Sequence, residues 1–204
     1  MNRMTITAWC HEIMKLYLPE QGTYVDATMG NGHDTLFLCQ LAGKQGHVYA
    51  FDIQQTALEH TKALLEKEGI QDGASLILDS HVNMGNYLAP KSVDGMLFNC
   101  GYLPGGDHSL ATTPETTIKA IEVGLDLLKE GGIMGICLYS GGDTGFEEKE
   151  RVLAYLQKID PRLSTVIVQE YHNRGNHPPT PVFILKDQPH QNAKEIPGSV
   201  PAYG

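Results

Sequence analysis

No stretch of this chain approaches the roughly 18 consecutive apolar residues of a membrane-spanning helix, so nothing in it is expected to cross a bilayer. The first ten residues carry one charge, Arg3, and lack the apolar centre of a secretory signal, which makes the cytoplasm the expected compartment. Cysteine is scarce. Cys10, Cys39, Cys100 and Cys137 are widely spaced and form no C-x-x-C pair, so neither a disulfide framework nor a zinc site is expected, and no metal is assigned. Positive charge is scarce too: 15 Lys and Arg against 24 Asp and Glu leave a net charge of −9. That balance disfavours broad grip on nucleic acid or on anionic membranes, though not a local basic patch or a backbone anion site. There is no internal repeat, and 22 Gly and 11 Pro are too scattered for a low-complexity chain. With 204 residues, one domain over residues 1–186 followed by a loose polar tail over 187–204 is the expected organisation.

Short apolar runs alternate with longer amphipathic stretches. An opening helix is expected over residues 4–18, strands over 23–27, 47–52, 74–79, 93–99 and 133–139, and helices over 34–41, 54–67, near 82–88, 114–129 and 147–158. The helix from Pro114 is well signalled, with Thr113 as its cap and Gly131-Gly132 to end it. Five strand–helix units predict an α/β fold with a mostly parallel sheet and helices on both faces. The end breaks the rhythm. Residues 163–171 and 181–186 are strand-like, and the polar loop between them is too short for a crossover helix, so they should form an antiparallel hairpin.

The first strand runs into Asp26-Ala27-Thr28-Met29-Gly30-Asn31-Gly32-His33-Asp34-Thr35. Gly30 and Gly32 allow a tight turn and close approach of a ligand, at the switch point where α/β sheets bind nucleotides. A bare tight turn is the plain alternative. Asp52 ends the second strand, 20 residues beyond Gly32, where a carboxylate can hold both ribose hydroxyls of an adenosine or start the next helix. A dinucleotide fingerprint wants a third glycine where Thr35 stands. Asp26 and Asp34 would repel a pyrophosphate but suit the ammonium and sulfonium of S-adenosylmethionine, so electrostatics favours the methyl donor.

Strand four leads into Asn99-Cys100-Gly101-Tyr102-Leu103-Pro104-Gly105-Gly106-Asp107-His108. An Asn followed by a turn and an aromatic resembles the Asn-Pro-Pro-Tyr loop of amino-group methyltransferases. The Asn99 oxygen can accept an N–H of an attacking amine and so aim its lone pair. Tyr102 can stack on a planar base, and Asp107 or water can take the proton. Gly101 and His108 lie beside the acceptor in this reading. The loop 172–180 either faces substrate, through Arg174, Asn176 and His177, or is merely solvated.

Asp-Ala-Thr-x-Gly-Asn-Gly-His-Asp-Thr at 26–35, Phe-Asp-Ile-Gln at 51–54, Asn-x-Gly-Tyr-Leu-Pro-Gly-Gly-Asp at 99–107 and Asn-x-Pro-Pro at 176–179 together resemble one bacterial family. It is a family of class I methyltransferases labelled rRNA methylases, which includes the Bacillus-type tRNA 5-(aminomethyl)-2-thiouridine methyltransferases. The resemblance covers roughly residues 4–186. It implies a Rossmann-like fold with a seven-stranded sheet, S-adenosyl-L-methionine as cofactor, and N-methylation of the aminomethyl group of a wobble uridine in the tRNA anticodon stem-loop. It also implies donor contacts from Asn31, Asp34, Asp52, Gln54, Ser80 and His81. The chain departs from the family pattern at Cys100 and His108, where that pattern has Leu and Lys; the missing lysine puts a local phosphate contact in doubt.

Several rivals stand beside this reading. They are a methyltransferase acting on rRNA or on a small-molecule amine, an NAD-dependent oxidoreductase with a sixth parallel strand, and a non-catalytic module that binds nucleoside and RNA. A monomer and a homodimer both stay open.

Overall fold

Alternation of side chains along the strands decides which helix each strand residue meets. In the computed structural model, which describes residues 4–70, 72–100, 112–139, 145–175 and 178–188, β1 (Thr23–Asp26), β2 (His47–Asp52), β3 (Ala74–Leu78), β4 (Val93–Cys100), β5 (Leu128–Leu138), β6 (Ser164–Val168) and β7 (Thr180–Lys186) form one sheet. Its order is β3-β2-β1-β4-β5-β7-β6. The first five strands are mutually parallel, whereas β7 runs antiparallel to both β5 and β6. The expected terminal hairpin is present. Its second strand lies inside the sheet and its first forms the edge, with Gln169–Tyr171 already outside the ladder.

Two helices, α1 (Ile6–Tyr17) and α2 (His33–Ala42), cover one face. Their apolar residues join Tyr24, Val48, Leu97, Ile133, Cys137 and Phe183 in one core cluster. The other face packs Val25, Phe51, Met96, Phe98, Met134 and Ile136 against α4 (Pro114–Leu127), α5 (Gly145–Leu156) and a short 3-10 helix (His81–Asn86). Between β2 and β3 runs α3 (Gln55–Lys67). Because sides alternate with a period of two, Asn99 falls on the side of Leu97 and Asp26 on the side of Tyr24. Both therefore face α1 and α2, at the carboxyl ends of adjacent strands.

The cap at Thr113 is a full capping box with Thr116, as expected. The end of that helix differs. The chain turns extended at Leu128, well before Gly131-Gly132, because Leu128 already pairs with Val93. Lys129 Nζ donates to both carboxylate oxygens of Asp94 at 2.8 Å, anchoring this early start, and Gly131, at φ 81°, absorbs the kink inside the strand. All four cysteines are buried, as expected of plain core thiols; Cys10 and Cys137 meet at 3.4 Å between α1 and β5.

Met14 is fully buried between α1 and the sheet, and its sulfur lies 3.2 Å from where a Cβ on Gly135 would stand. Met14→Ala should therefore cost about 2–5 kcal/mol, the range for emptying a tightly packed core site. Urea unfolding measures this, and a loss under about 1 kcal/mol would mean that α1 is not part of the cooperative core.

Candidate active site

Two βα turns are tied together by one carboxylate. Gly30 (φ 53°) and Gly32 (φ 81°) turn the chain from β1 into α2, so a side chain at either would be strained. A Cβ on Gly32 would also stand 2.9 Å from the Thr61 backbone, which is how closely α3 packs on this turn. Asp52 Oδ2 accepts from the Gly30 amide and Oδ1 from the Gln54 amide, both at 2.9 Å. The cap role considered for Asp52 is not what forms: the N-cap of α3 is Gln54, without a side-chain cap bond, and Asp52 holds the backbone amide of that cap residue from outside the helix. Asp52 still has about two of its four lone-pair sites open. Asn31 Oδ1 lies 3.1 Å from His60 Nδ1, beside the turn.

Asp26 has no exposed surface. It accepts from the Thr28 amide at 3.2 Å and from the Thr35 hydroxyl at 2.6 Å, so Thr35, also fully buried, braces the turn from behind. Burial pushes the Asp26 carboxyl up to about 7, and the charges of Asp34 and then Asp52 push the same way.

Asp34 sits at the start of α2 and joins three elements. Its Oδ1 lies 2.6 Å from His11 Nε2 of α1, and its Oδ2 accepts from the Asn99 amide nitrogen at the end of β4. The His11 ring is stacked on Phe37 with centroids 3.9 Å apart and planes 7° from parallel. Asn99 is held a second time, its backbone N–H donating to Thr28 Oγ1 at 2.7 Å. A carboxylate can only accept, so Asp34 must face the NH2 end of the Asn99 amide. That leaves Asn99 Oδ1 pointing away, buried and without a partner among the described residues.

A second unpartnered buried atom is His81 Nε2, on the 3-10 helix after β3. The Ala27 carbonyl lies against the ring, and burial holds the imidazole below its ordinary value. A proton on the other nitrogen, directed at that carbonyl, would leave Nε2 as an acceptor. Ser80 starts this helix, its hydroxyl accepting from the Val82 amide at 3.4 Å. Arg174 does not join the glycine turn. Its guanidinium lies over the Tyr171 ring and donates to the Met4 carbonyl at 2.7 Å.

Asp26, Gly30, Asn31, Gly32, Asp34, Thr35, Asp52 and Asn99 thus converge on the β1–α2 turn and its neighbours, with Ser80 and His81 after β3 and Gln54 after β2 on the same sheet edge. Gly101, Tyr102, Asp107, His108, Asn176 and His177 and the tail beyond 188 lie outside the described residues. His11 was missed from sequence. It sits among polar residues of an amphipathic helix, 23 positions before Asp34, and nothing local marks it. The burial of Cys100 raises its thiol far above the ordinary range, which leaves no thiolate for nucleophilic work.

Residues 48–185 match the family described as "Putative rRNA methylase". The chain belongs to this family. It is 35% identical over 163 residues to a tRNA (mnm5s2U34)-methyltransferase, chloroplastic, of Arabidopsis thaliana, a match spanning 76% of this chain and 60% of that one. A ribosomal RNA small subunit methyltransferase H of Streptococcus mutans is 36% identical over 101 residues, 47% of this chain and 32% of that one. The chain thus spans less than two thirds of the curated relatives it matches. Among solved structures, a "putative rRNA-methylase" from Clostridium thermocellum superposes with a TM-score of 0.87 at 43% identity, covering 91% of this chain and all of that one. A "putative methyltransferase" from Streptococcus mutans in complex with SAH has a TM-score of 0.80 at 38% identity, covering 91% and 99%. The fold is that of the class I methyltransferases, seven-stranded with its antiparallel strand pair as the family resemblance implied.

A carboxyl whose folded value lies above its unfolded one stabilises the protein at low pH and loses that contribution as pH rises through the folded value. For Asp26 the window runs from about pH 4 to about pH 7. Asp26→Asn should therefore gain on the wild type across that window, by on the order of 1–3 kcal/mol. Denaturant unfolding of both proteins at several pH values reads the difference; a flat difference would show that Asp26 ionises freely in the fold.

Proposed function

We propose that this protein is a cytoplasmic S-adenosylmethionine-dependent methyltransferase that N-methylates the aminomethyl group of 5-aminomethyl-2-thiouridine at the tRNA wobble position, giving 5-methylaminomethyl-2-thiouridine. The observation that carries the reading is the buried, unpartnered Oδ1 of Asn99, presented by Asp34 at the end of β4.

The residues present fit the donor. The positive-φ glycines open the turn, Asp52 keeps acceptor sites free for ribose hydroxyls, and His81 Nε2 is a buried acceptor available to an exocyclic amine. Asp34 and Asp52 beside the turn suit a cationic ligand. That a related structure holds SAH supports the same cofactor here, because SAH is what remains once the methyl group has been given up. When bound, S-adenosylmethionine supplies the electrophilic methyl carbon.

The chain's own part is positioning. Asn99 Oδ1 accepts one N–H of the neutral amine, which turns the nitrogen lone pair toward the methyl carbon; the new N–C bond forms as the C–S bond breaks, its electron pair staying on sulfur. Asp34 prevents the Asn99 amide from flipping, because a flipped amide would set two acceptors face to face. His11 in turn holds the other oxygen of Asp34. It is a positioning residue, not one that touches the reacting atoms. No covalent enzyme intermediate is needed.

Support for the acceptor comes from the Arabidopsis relative, a tRNA (mnm5s2U34)-methyltransferase. An acceptor on ribosomal RNA is the second reading, supported by the family's description and by the Streptococcus mutans relative. Incubating the full chain with labelled donor and either 5-aminomethyl-2-thiouridine-containing tRNA or ribosomal RNA, followed by nucleoside mass spectrometry, separates them. Label in 5-methylaminomethyl-2-thiouridine is expected; label in ribosomal RNA alone would replace the proposal with the second reading.

Asn99→Ala should lower kcat by roughly 10²–10³ with donor affinity little changed, since its oxygen serves the acceptor. His11→Ala should lower kcat less, and His11→Gln, which restores an N–H for Asp34, should recover most of the loss. Equal damage to donor affinity and turnover in Asn99→Ala would reduce Asn99 to a scaffold for the turn.

A further inference from the structure

A cavity of about 500 Å³ lies at the carboxyl edge of the sheet, away from the glycine turn, lined by Met4, Trp9, Gln169, Glu170, Tyr171 and Pro181. None of these residues serves the chemistry above. Its place is set by register. Asn99 pairs with Cys137, and Cys137 pairs with Pro181, so Pro181 sits in the same row as Asn99, two strands away. That is ~10 Å across the sheet, on the same face. The two places are linked through α1 as well, since Trp9 lines the cavity two positions before His11, which holds Asp34.

The lining offers flat faces and a hydrogen-bonding edge. Trp9 and Tyr171 supply the rings. Trp9 Nε1 donates to Gln169 Oε1 at 2.5 Å, which leaves the Gln169 NH2 free to donate. Tyr171 Oη is buried, with the Arg174 side chain as its polar neighbour and no well-formed hydrogen bond among the described residues. The Arg174 guanidinium, 3.9 Å from the Tyr171 ring centroid, places one positive charge beside the cavity. We propose that this cavity is a base-binding pocket, which receives an unpaired RNA nucleobase neighbouring the one being methylated. The proposal rests on the tRNA reading above and deepens it. Single-stranded loops splay their bases onto aromatic side chains and hydrogen-bond their edges. A chain of net charge −9 has little else with which to hold an anionic polymer. Stacking and edge contacts, with Arg174 beside them, would supply grip that the net charge does not favour.

Trp9 is the chain's single tryptophan, so its fluorescence reports on the cavity without any need for turnover. The probe is an anticodon stem-loop RNA with 5-aminomethyl-2-thiouridine at the wobble position, compared with the same RNA made abasic at one or the other neighbouring nucleotide. Intact RNA should quench Trp9, and one abasic RNA should not. That abasic RNA should also raise KM by about tenfold, the scale of one stacked base. Trp9→Ala should raise KM for intact RNA by a similar factor and show no further loss with the abasic RNA, because both changes remove one interaction. Trp9→Phe, which keeps a ring, should fall between and serves if the alanine variant does not fold. Wild-type methylation of intact RNA with emission and KM indifferent to either abasic site would overturn the pocket while leaving the tRNA reading intact. Base-dependent quenching without any methyl transfer would do the reverse: the pocket would stand and the assigned acceptor would fall.

Discussion

A carboxylate has no proton to give, and the arrangement of this edge of the sheet follows from that at Asp34. One oxygen meets His11 from α1 and the other meets Asn99 from β4, while the residue itself begins α2. Three segments far apart in sequence are thereby locked to one group, and the orientation of the Asn99 amide is decided by it. Had Asp34 been Asn, either face of the Asn99 amide could have been accommodated. The buried acceptor at Oδ1 exists because its neighbour can only accept.

The same constraint has an electrostatic consequence. Asp26, Asp34 and Asp52 crowd one turn, and burial with mutual repulsion raises Asp26 far enough that it holds a proton through mildly acidic pH. The free fold bears this strain because the Thr35 hydroxyl and the Thr28 amide hold the Asp26 carboxyl. A cation arriving at the turn relieves the strain and an anion adds to it. The charge of the turn therefore suits a cationic donor better than a pyrophosphate, before any specific contact is considered.

The parts of this architecture that could be read from sequence were those written in local periodicity. The five parallel strands, the capped helix at Pro114 and the terminal hairpin each had a run, a cap or a loop length to announce them. The start of β5 had none. Residues 128–130 look helical locally and are extended because Val93 and Asp94, more than thirty positions earlier, claim Leu128 and Lys129. Asn99 and Asp52 were legible as candidate site residues because they end apolar runs at the edge where α/β sheets bind ligands. His11 and Trp9 were not, since on an amphipathic helix a lone imidazole and a lone indole look like face-fillers. Their partners, Asp34 and Gln169, lie 23 and 160 positions away.

Thr35 shows why a turn that superficially suits a dinucleotide belongs here to a different ligand. In the dinucleotide fingerprint this position is a glycine, so that helix and strand can approach closely. Here a side chain stands between them, fully buried, and its hydroxyl donates to Asp26. Replacing it with glycine would remove the donor that makes a buried carboxylate tolerable. Asp26 and Thr35 are thus one unit, and it fills the place where a dinucleotide fingerprint needs a glycine. The far edge of the sheet points the same way, because β7 is antiparallel to both its neighbours and no sixth parallel strand forms among the described residues. That antiparallel strand also brings Pro181 into the row of Asn99, which a parallel strand reached by a crossover helix would not do from so short a loop. The feature that argues against the oxidoreductase is therefore the one that sets a cavity beside the proposed acceptor site.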